Sequence, residues 1–304
     1  MIIYKNLNIQ KKHTNAVIAI GNFDGLHLGH QKVLNEARLK AKNENLKFGA
    51  ITFEPMPTMF FNKNIKHYRI NTIKQKIYYL NKLKLDFLII IKFNELFSNR
   101  SADFFIKNIL VNRLKSKYIF VSRNFRFGKK RFGDINTLKL FEKKYLYKVV
   151  ITTPYKKNKK IISSTLIRKN ISEGKVIEAK KRLGRSWSIE GMVVKGEQRG
   201  RKIGFPTCNI KWNCYALPKL GVYSVTIQSE SFKKKGIANI GYRPTFNGKT
   251  LLLEVNIFGI KANLYKKILK VSFIKFIRSE KKFKNINALK VQIKKDINKA
   301  KNNV

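Results

Sequence analysis

Two histidines three positions apart, His27 and His30, lie within the segment "GNFDGLHLGH" (residues 21–30). The chain has only four histidines, so this turn concentrates imidazole groups. Glycines let the backbone approach a ligand closely, and a helix N-terminus offers unpaired N–H groups to an anion. The segment therefore predicts a phosphate-binding turn. Its other candidate binding residues are Gly21, Phe23, Asp24, Gly25 and Gly29.

Two alternatives for this segment remain open on spacing alone. Histidines at i and i+3 can share a metal, but a zinc site needs at least a third strong ligand. The other histidines, His13 and His67, stand in no recognisable metal-binding pattern. The segment could also be purely structural, a glycine turn with buried histidines. The common phosphate loops, GxxxxGK[ST] and GxGxxG, are absent from it.

A second polar cluster, "SSTLIR", occupies residues 163–168. It places three hydroxyl groups at the start of a helical pattern and an arginine one turn later. Hydroxyls at this place are typical of an ordinary helix N-cap, whereas arginine is well suited to phosphate. The residues in question are Ser163, Ser164, Thr165 and Arg168.

A third cluster, "GEQRGRKIGFPTCN", is a glycine-rich turn that leads into a strand. Such a turn can wrap phosphates with backbone N–H groups. Thr207 and Asn209 are two apart, so on a strand both side chains point to one face. Their oxygens suit Mg²⁺ that carries ATP phosphates. The candidate phosphate-binding residues of the turn are Gly196, Gly200, Lys202 and Gly204.

The strand-like run "LLLEVNIF" places Glu254 on one face together with Leu252, Asn256 and Phe258. By itself, Glu254 is interpreted as a solvated residue on the open face of a strand.

The elements that position these clusters differ between the two halves of the chain. Short apolar runs at 16–20, 47–53, 86–91, 118–122 and 148–152 alternate with helical patterns, which include helices capped by Thr72 and Ser101. This alternation predicts a doubly wound parallel sheet. Strand-like runs then follow one another from 187 to 277, which predicts an antiparallel barrel or sandwich before a final helix at about 285–300. Two short helices end at Gly184 between the halves. The predicted domains are residues 1–184 and 185–304.

Composition narrows the class of protein. The chain has 304 residues, 43% of them hydrophobic, enough for two domains with a sizeable core. The longest aliphatic run is far too short to span a bilayer, and the N-terminus lacks the pattern of a signal peptide. Its two cysteines form no CxxC pair. These features predict a cytoplasmic protein without a membrane span.

The charge is extreme, with 66 Lys and Arg against 17 Asp and Glu. Nucleic-acid binding is one interpretation, since phosphate neutralisation needs basic residues. Compositional drift is the other, because lysine excess accompanies abundant Asn, Ile, Phe and Tyr and is spread along the whole chain. A dedicated nucleic-acid surface would be localised, so we favour drift. Anionic small substrates such as nucleotides suit either interpretation.

These motifs together resemble the prokaryotic bifunctional riboflavin kinase/FAD synthetases. "GNFDGLHLGH" is similar to the GxFDGxHxGH signature of that family, which belongs to the HxGH nucleotidyltransferases. The further matches follow in the same order across both halves: "TFEPMP", "FRFGKKRFGD", "ISSTLIR", "GRKIGFPTCNI", "LPKLGVY", "NIGYRPTF", "LEVNIF" and "IRSEKKF". The resemblance implies an N-terminal nucleotidyltransferase domain that makes FAD from FMN and ATP, and a C-terminal β-barrel that makes FMN from riboflavin and ATP.

The resemblance also implies roles for individual residues. His27, His30 and the "SST" segment with Arg168 would contact phosphates during adenylyl transfer. Glu254 would be the general base for the riboflavin 5′-hydroxyl, with Thr207 and Asn209 near Mg²⁺. Arg278 would lie near the flavin.

The chain departs from the family pattern at several positions. Ser122 and Asn124 stand where relatives often have Gly and Asp, so Asn124 is expected to bind nucleotide without a charge. Asn256 and Gly259 replace the usual His and Asp, and we expect these replacements to affect the rate and the affinity of the kinase step. Two other hypotheses remain: a member of this family with a single activity, and a basic RNA-binding protein on the same fold.

Overall fold

A computed structural model describes the chain over residues 1–157, 160–196, 199–245, 248–260 and 262–302. Two compact units emerge from its contacts. The first comprises Met1–Ile65 and Ile73–Ser163, and the second comprises Lys66–Thr72 and Ser164–Val304. Among the described residues, no helix combines the length and the apolar character that crossing a membrane requires.

The first part of the chain alternates strands and helices. The strands are β1 (Ile2–Tyr4), β2 (Val17–Ile20), β3 (Phe48–Glu54), β4 (His67–Arg69), β5 (Phe87–Lys92), β6 (Tyr118–Ser122), β7 (Lys148–Thr152), β8 (Lys156–Lys157) and β9 (Lys160–Ile161). The helices are α1 (Leu28–Asn43), α2 (Pro57–Phe61), α3 (Ile73–Lys82), α4 (Glu95–Ser98), α5 (Ala102–Phe104), α6 (Ile135–Leu140), α7 (Glu142–Tyr145), α8 (Ser164–Ser172) and α9 (Val176–Leu183). Short 3₁₀ turns occur at Lys11–His13 and Lys129–Arg131.

Six strands of the first unit form one parallel sheet in the order β1-β5-β3-β2-β6-β7. The apolar runs are buried because helices cover both faces of the sheet. Ile18 and Ile20 pack into one core and Val17 and Ala19 into the other, as the period of two requires. The predicted doubly wound sheet is therefore confirmed.

The helix predicted after Ser101 forms, and the Ser101 hydroxyl caps it by accepting the Phe104 N–H at 3.0 Å. Its continuation, Phe105–Arg113, is π-helical rather than α-helical. This wider winding buries Phe105, Ile106, Ile109 and Leu110 against the sheet. Apolar periodicity does not distinguish the two windings, so the sequence predicted only a helix.

The order of strands places a topological switch point between β2 and β6. The chain runs from β2 through α1 to β3 on one side, and β6 pairs with β2 on the other side. Ligands of open parallel sheets bind at the carboxyl ends of strands beside such a point. The loop after β2, residues 21–27, and the loop after β6 both begin at this edge.

The second unit is built on β10 (Ser188–Val194), β11 (Cys208–Lys211), β12 (Cys214–Tyr215), β13 (Gly221–Gln228), β14 (Lys233–Thr245), β15 (Gly248–Ile257) and β16 (Ile268–Arg278), with helices α10 (Arg199–Lys202) and α11 (Ile286–Asn302). Six of these strands close an antiparallel barrel in the order β10-β11-β15-β14-β13-β16. The closed barrel decides between the two predicted alternatives, barrel and sandwich. Ile189, Leu253 and Phe273 are among its fully buried residues.

The contacts group α8 and α9 with the barrel, whereas the sequence placed the boundary after Gly184. Helix α9 packs on β16, and Gly174 lies against the Phe276 ring. The excursion containing β4 joins the same unit: β4 pairs with β12, and the Trp187 indole donates to the Ile70 carbonyl at 3.0 Å. The apolar faces of these helices are buried on the barrel. The composition of the sequence does not show this, because no linker-like segment marks the boundary before the helices. Gly184 ends α9 in a left-handed conformation, as predicted.

Candidate active sites

The loop after β2 is tightly wound. Phe23, Gly25 and Leu26 have φ values of 46°, 79° and 40°. Left-handed φ is strained for a side chain such as Phe or Leu, and here Phe23 and Leu26 are each only 2% exposed, so packing holds them. The Leu26 N–H donates to the Phe23 carbonyl at 3.2 Å, which closes the turn just before α1. Strain of this kind at a strand end is typical of a functional loop.

His27 is the N-cap of α1, and its Nδ1 accepts a hydrogen bond from the His30 N–H at 3.2 Å. The two imidazole rings are stacked, with centroids 3.7 Å apart and planes 16° from parallel. Because Nδ1 of His27 is an acceptor, a neutral His27 carries its proton on Nε2. The predicted pair is therefore assembled at a helix N-terminus, with one ring N–H as a donor.

The metal alternative for this pair finds no support in the geometry. Within the described ranges, no group of three His, Cys, Asp or Glu side chains is placed to hold a metal ion. The structural alternative explains the burial of His27, which is 4% exposed, but it does not explain why two imidazoles occupy the helix N-terminus.

Gly29 allows the close packing of this turn. A Cβ at this position would lie 3.1 Å from the His27 ring and 3.5 Å from the Ile162 carbonyl oxygen. Residue 162 directly precedes Ser163, so the first unit brings the beginning of the "SST" segment beside the histidine turn. Ser164 and Thr165 begin α8, which the contacts assign to the second unit.

Arg168 is held within the second unit. Its Nε donates to the Tyr68 carbonyl at 2.8 Å, and its guanidinium lies 3.8 Å from the centroid of the Tyr68 ring. A guanidinium stacked on an aromatic ring has its plane fixed, which pre-organises it for an anion. No pattern in the sequence indicated this tyrosine partner.

The second candidate site lies on the barrel, where Asn209 of β11 is paired directly with Glu254 of β15. Paired residues of antiparallel strands point to the same face, so the carboxylate and the amide are neighbours. Both are half-buried, and the adjacent Leu253 and Val255 point into the core. Cys208 points away from Glu254, and burial raises the pKa of its thiol to about 11. A free cysteine buried in this way packs as a small apolar residue.

The glycine-rich turn folds against these side chains. A Cβ on Gly200 would lie 3.1 Å from the Thr207 hydroxyl oxygen, and one on Gly196 would overlap the Asn209 amide nitrogen. The Phe205 N–H donates to the Gly200 carbonyl at 2.8 Å. Gly204 has a φ of 88°, a conformation that glycine adopts without strain. Two glycines of the predicted turn, Gly196 and Gly200, therefore lie beside Asn209 and Thr207. Glu197, Gln198 and the Lys202 side chain lie outside the described part.

Comparison with known proteins assigns each half to a family. The FAD synthetase family model matches residues 9–166, and the riboflavin kinase family model matches residues 183–304. The bifunctional riboflavin kinase/FMN adenylyltransferase of Buchnera aphidicola subsp. Schizaphis graminum is 45% identical over 295 residues, covering 95% of this chain and 94% of that protein. The protein of the same description from Haemophilus influenzae is 39% identical, covering 97% and 96%.

The chain belongs to the bifunctional riboflavin kinase/FMN adenylyltransferase family. A crystal structure described as that of a macrolide-efflux protein from Streptococcus pneumoniae superposes on this chain with a TM-score of 0.85 and 29% identity, covering 97% of this chain and 96% of that one. The two-domain architecture is thus shared over nearly the whole length.

Two departures from the pattern of the riboflavin kinase/FMN adenylyltransferases follow β6. Ser122 lies outside the residues with positive φ, so the serine fits its backbone where relatives often have glycine. Asn124 is exposed in the turn after β6, at the edge of the sheet next to the β2 loop. Its amide is accessible to a ligand at the switch point.

A third departure of this family member, Asn256, has a structural role on the barrel. Its side-chain amide donates to the Pro206 carbonyl at 2.6 Å. This bond joins β15 to the residue directly before Thr207. Asn256 therefore supports the position of the Thr207–Asn209 segment.

Arg278 is engaged away from Glu254. Its Nε and one terminal nitrogen both lie 2.8 Å from an Asp296 carboxylate oxygen, and the Asp296 side chain is 2% exposed. Gln292 donates to the other oxygen at 2.8 Å. Strand β16 is separated from β15 by two strands in either direction around the barrel. The structure thus joins Arg278 to α11 and does not bring it beside the predicted base.

An aromatic cluster at the carboxyl ends of β3 and β5 was missed by the sequence analysis. Phe93 lies 5.3 Å from Phe60, 5.8 Å from Phe61 and 6.1 Å from Phe53 between ring centroids. Phe61 is 69% exposed. The only sequence signal is the close spacing of the phenylalanines in "TMFF" and "FNELF".

Proposed function

We propose that this chain carries out two successive transfers: phosphorylation of riboflavin to FMN on the barrel, and adenylylation of FMN to FAD at the parallel sheet. The observation that carries the proposal is the assembly of a separate cluster of predicted site residues in each of the two family-matched segments. His27 and His30 are stacked at a helix N-terminus in residues 9–166, and Asn209 is paired with Glu254 in residues 183–304.

In the kinase step, the Glu254 carboxylate accepts the proton of the riboflavin 5′-hydroxyl. That oxygen attacks the γ-phosphorus of ATP, and the bond to the ADP oxygen breaks. The half-buried strand surface limits access of water around the carboxylate. Gly196 lies against the Asn209 side chain and Gly200 against that of Thr207, and backbone N–H groups of a glycine-rich turn can hold phosphates.

The donor set of the kinase site fits Mg²⁺, because the Thr207 hydroxyl and the Asn209 amide provide oxygen ligands. The amide nitrogen of Asn209 faces Gly196, which leaves its oxygen directed away from the glycine. Bound Mg²⁺ would neutralise phosphate charge, as the ATP-using kinases generally require. Asn256 maintains this segment through its bond to Pro206.

In the adenylyltransferase step, a phosphate oxygen of FMN attacks the α-phosphorus of ATP and pyrophosphate leaves. The attacking oxygen is already anionic, so a strong base is not required. The enzyme instead positions two anions and stabilises charge on the leaving group. The Nε2–H of His27, the His30 ring, the N-terminus of α1 and Ser163 are the groups of the first unit that we assign to this task, with Asn124 contacting the nucleoside.

The phenylalanine cluster suits the flavin of this second step. Phe61 and Phe93 present aromatic surface at the carboxyl edge of the sheet, on the β3 and β5 side of the histidine turn. An isoalloxazine ring is planar and apolar over much of its area, and stacking on such side chains would orient it. We place the reactions in the cytoplasm, with riboflavin, FMN and ATP as partners and without a nucleic-acid partner.

Product analysis tests the proposal. The purified chain is incubated with riboflavin, ATP and Mg²⁺, and the flavins are separated by chromatography over time. FMN should appear first and FAD should follow at its expense. A chain that forms neither flavin would contradict the proposal, and FMN without FAD would restrict the chain to the kinase activity.

A further inference from the structure

Helix α3 buries a lysine within its apolar stripe. Lys76 lies between Ile73 and Leu80 on the face that packs on the sheet, and it is 1% exposed. Lysine is almost never fully buried without a partner, since desolvating its polar group is costly. A methionine or leucine here would satisfy the core, so the amine requires an explanation beyond packing.

The Lys76 amine reaches the histidine turn through one threonine. Its Nζ donates to the Thr52 hydroxyl oxygen at 3.3 Å, and that hydroxyl donates to the Asn22 carbonyl at 3.2 Å. Thr52 lies on β3 and is fully buried. The hydroxyl therefore acts as acceptor and donor at once, and such chains strengthen each of their hydrogen bonds.

This chain fixes the peptide between Asn22 and Phe23. In a trans peptide the C=O and N–H groups point in opposite directions. With the Asn22 carbonyl held towards Thr52, the Phe23 N–H points to the other side of the loop. Among the described residues, that N–H donates to no protein acceptor. Polarisation of the carbonyl also strengthens the N–H of the same peptide as a donor.

We infer that Lys76 is a positioning residue for adenylyl transfer, which acts through Thr52 to aim the Phe23 N–H at the phosphate chain of the nucleotide. The inference rests on the proposed adenylyltransferase function of this site. It also gives a reason for the strained φ of 46° at Phe23, since that conformation presents the donor. The distinct contribution of Lys76 is orientation of a donor that stabilises phosphate charge in the transition state.

The first experiment replaces Lys76 with methionine in the full chain and compares it with Lys74→Met, an exposed lysine on the same helix. We expect Lys76→Met to lower kcat for FAD formation from supplied FMN by about tenfold or more, with a small change in KM for FMN. Riboflavin phosphorylation by the same protein and the melting temperature should both remain close to those of Lys74→Met. An unchanged kcat for FAD formation would overturn the inference, as would a loss that only parallels a loss of folded protein.

Thr52→Val supplies a second test, because valine has a similar shape and no hydroxyl. It should reduce FAD formation to a similar degree, and the double variant Lys76→Met/Thr52→Val should be no slower than the slower single variant, since both interrupt one chain. Fully additive losses would contradict a shared path. Lys76→Arg, which keeps a donor, should recover part of the rate lost in Lys76→Met.

The rate of FAD formation by the unaltered chain separates the proposed function from the role of Lys76. If the unaltered chain forms no FAD, the proposed adenylyltransferase function fails and this inference fails with it. If the unaltered chain forms FAD and Lys76→Met and Thr52→Val form it at the same rate, only the inference fails.

Discussion

In the proposed function, the two candidate sites bind phosphate through different kinds of backbone structure. The histidine turn lies between the end of a parallel strand and the start of α1, and the side chains that we assign to phosphate there are the two imidazoles. The barrel site uses directly paired antiparallel strands, which place the Glu254 carboxylate beside Asn209. The difference follows from the nucleophiles. An FMN phosphate is already charged, whereas a hydroxyl must lose a proton, so only the kinase site needs a base.

Glu254→Gln should produce the largest effect. It keeps the size of the side chain but removes the proton acceptor, so riboflavin phosphorylation should fall by about 10²–10⁴-fold. Conversion of supplied FMN to FAD should be unchanged, which is the internal control. Rates are measured from flavin chromatograms at saturating substrates. If this variant lost the FAD step as well, the separation of the two sites would be wrong.

His30→Ala should produce the opposite pattern. Removing this ring from the stacked pair should slow FAD formation by about 10²–10³-fold, while FMN accumulates at the normal rate. The same chromatographic assay with riboflavin as the starting flavin measures both steps. Unimpaired FAD synthesis in this variant would support the purely structural interpretation of the histidine turn.

Asp296→Asn tests whether Arg278 is chiefly structural. Loss of the buried carboxylate leaves Arg278 without its charged partner, so the free energy of unfolding should fall by about 3 kcal/mol. Urea denaturation provides the measurement. The control is Asp103→Asn, which breaks the exposed Asp103–Lys107 pair and should change stability by about 0.5 kcal/mol or less. Equal effects of the two substitutions would contradict a stabilising role for the Arg278–Asp296 pair.

Asn256→Ala should have the smallest effect of the four. It removes one hydrogen bond to Pro206 and should slow the kinase step by about fivefold, which corresponds to about 1 kcal/mol. Asn256→His restores the residue usual in relatives and shows whether the departure limits turnover. Neither variant should alter FAD formation from FMN. A kinase rate unchanged by Asn256→Ala would contradict this role, because other contacts would then be sufficient to hold the segment before Thr207.

The fold was predictable where local pattern and tertiary environment agree. The run "AVIAI" is apolar throughout because β2 is covered on both faces, and the five strands predicted in the first half all occur. Strand β4, "HYR", was missed because its pairing with β12 involves no apolar run. Long-range pairing of this kind leaves no periodic signal.

The sequence indicated which residues are candidates for each site, but it did not indicate how their side chains are arranged in space. Spacing indicated that Thr207 and Asn209 share a face, while the direct pairing of Asn209 with Glu254 depends on strand register. The Lys76–Thr52–Asn22 chain joins residues that are 24 and 30 apart in sequence, so only the structure brings them together. Arg278 was identified by its place in a motif that resembles the family pattern. Its partner Asp296 becomes evident only in the structure, where α11 packs on the barrel.

Complementation tests the central claim, that two separate sites act in succession, most directly. Glu254→Gln and His30→Ala proteins are incubated with riboflavin, ATP and Mg²⁺, each alone and then mixed in equal amounts, and FAD is measured. We predict that neither variant alone forms FAD at an appreciable rate. The mixture should form it, because FMN released by His30→Ala is a substrate for Glu254→Gln. A mixture that yields no more FAD than the separate variants, although His30→Ala accumulates FMN, would contradict the account.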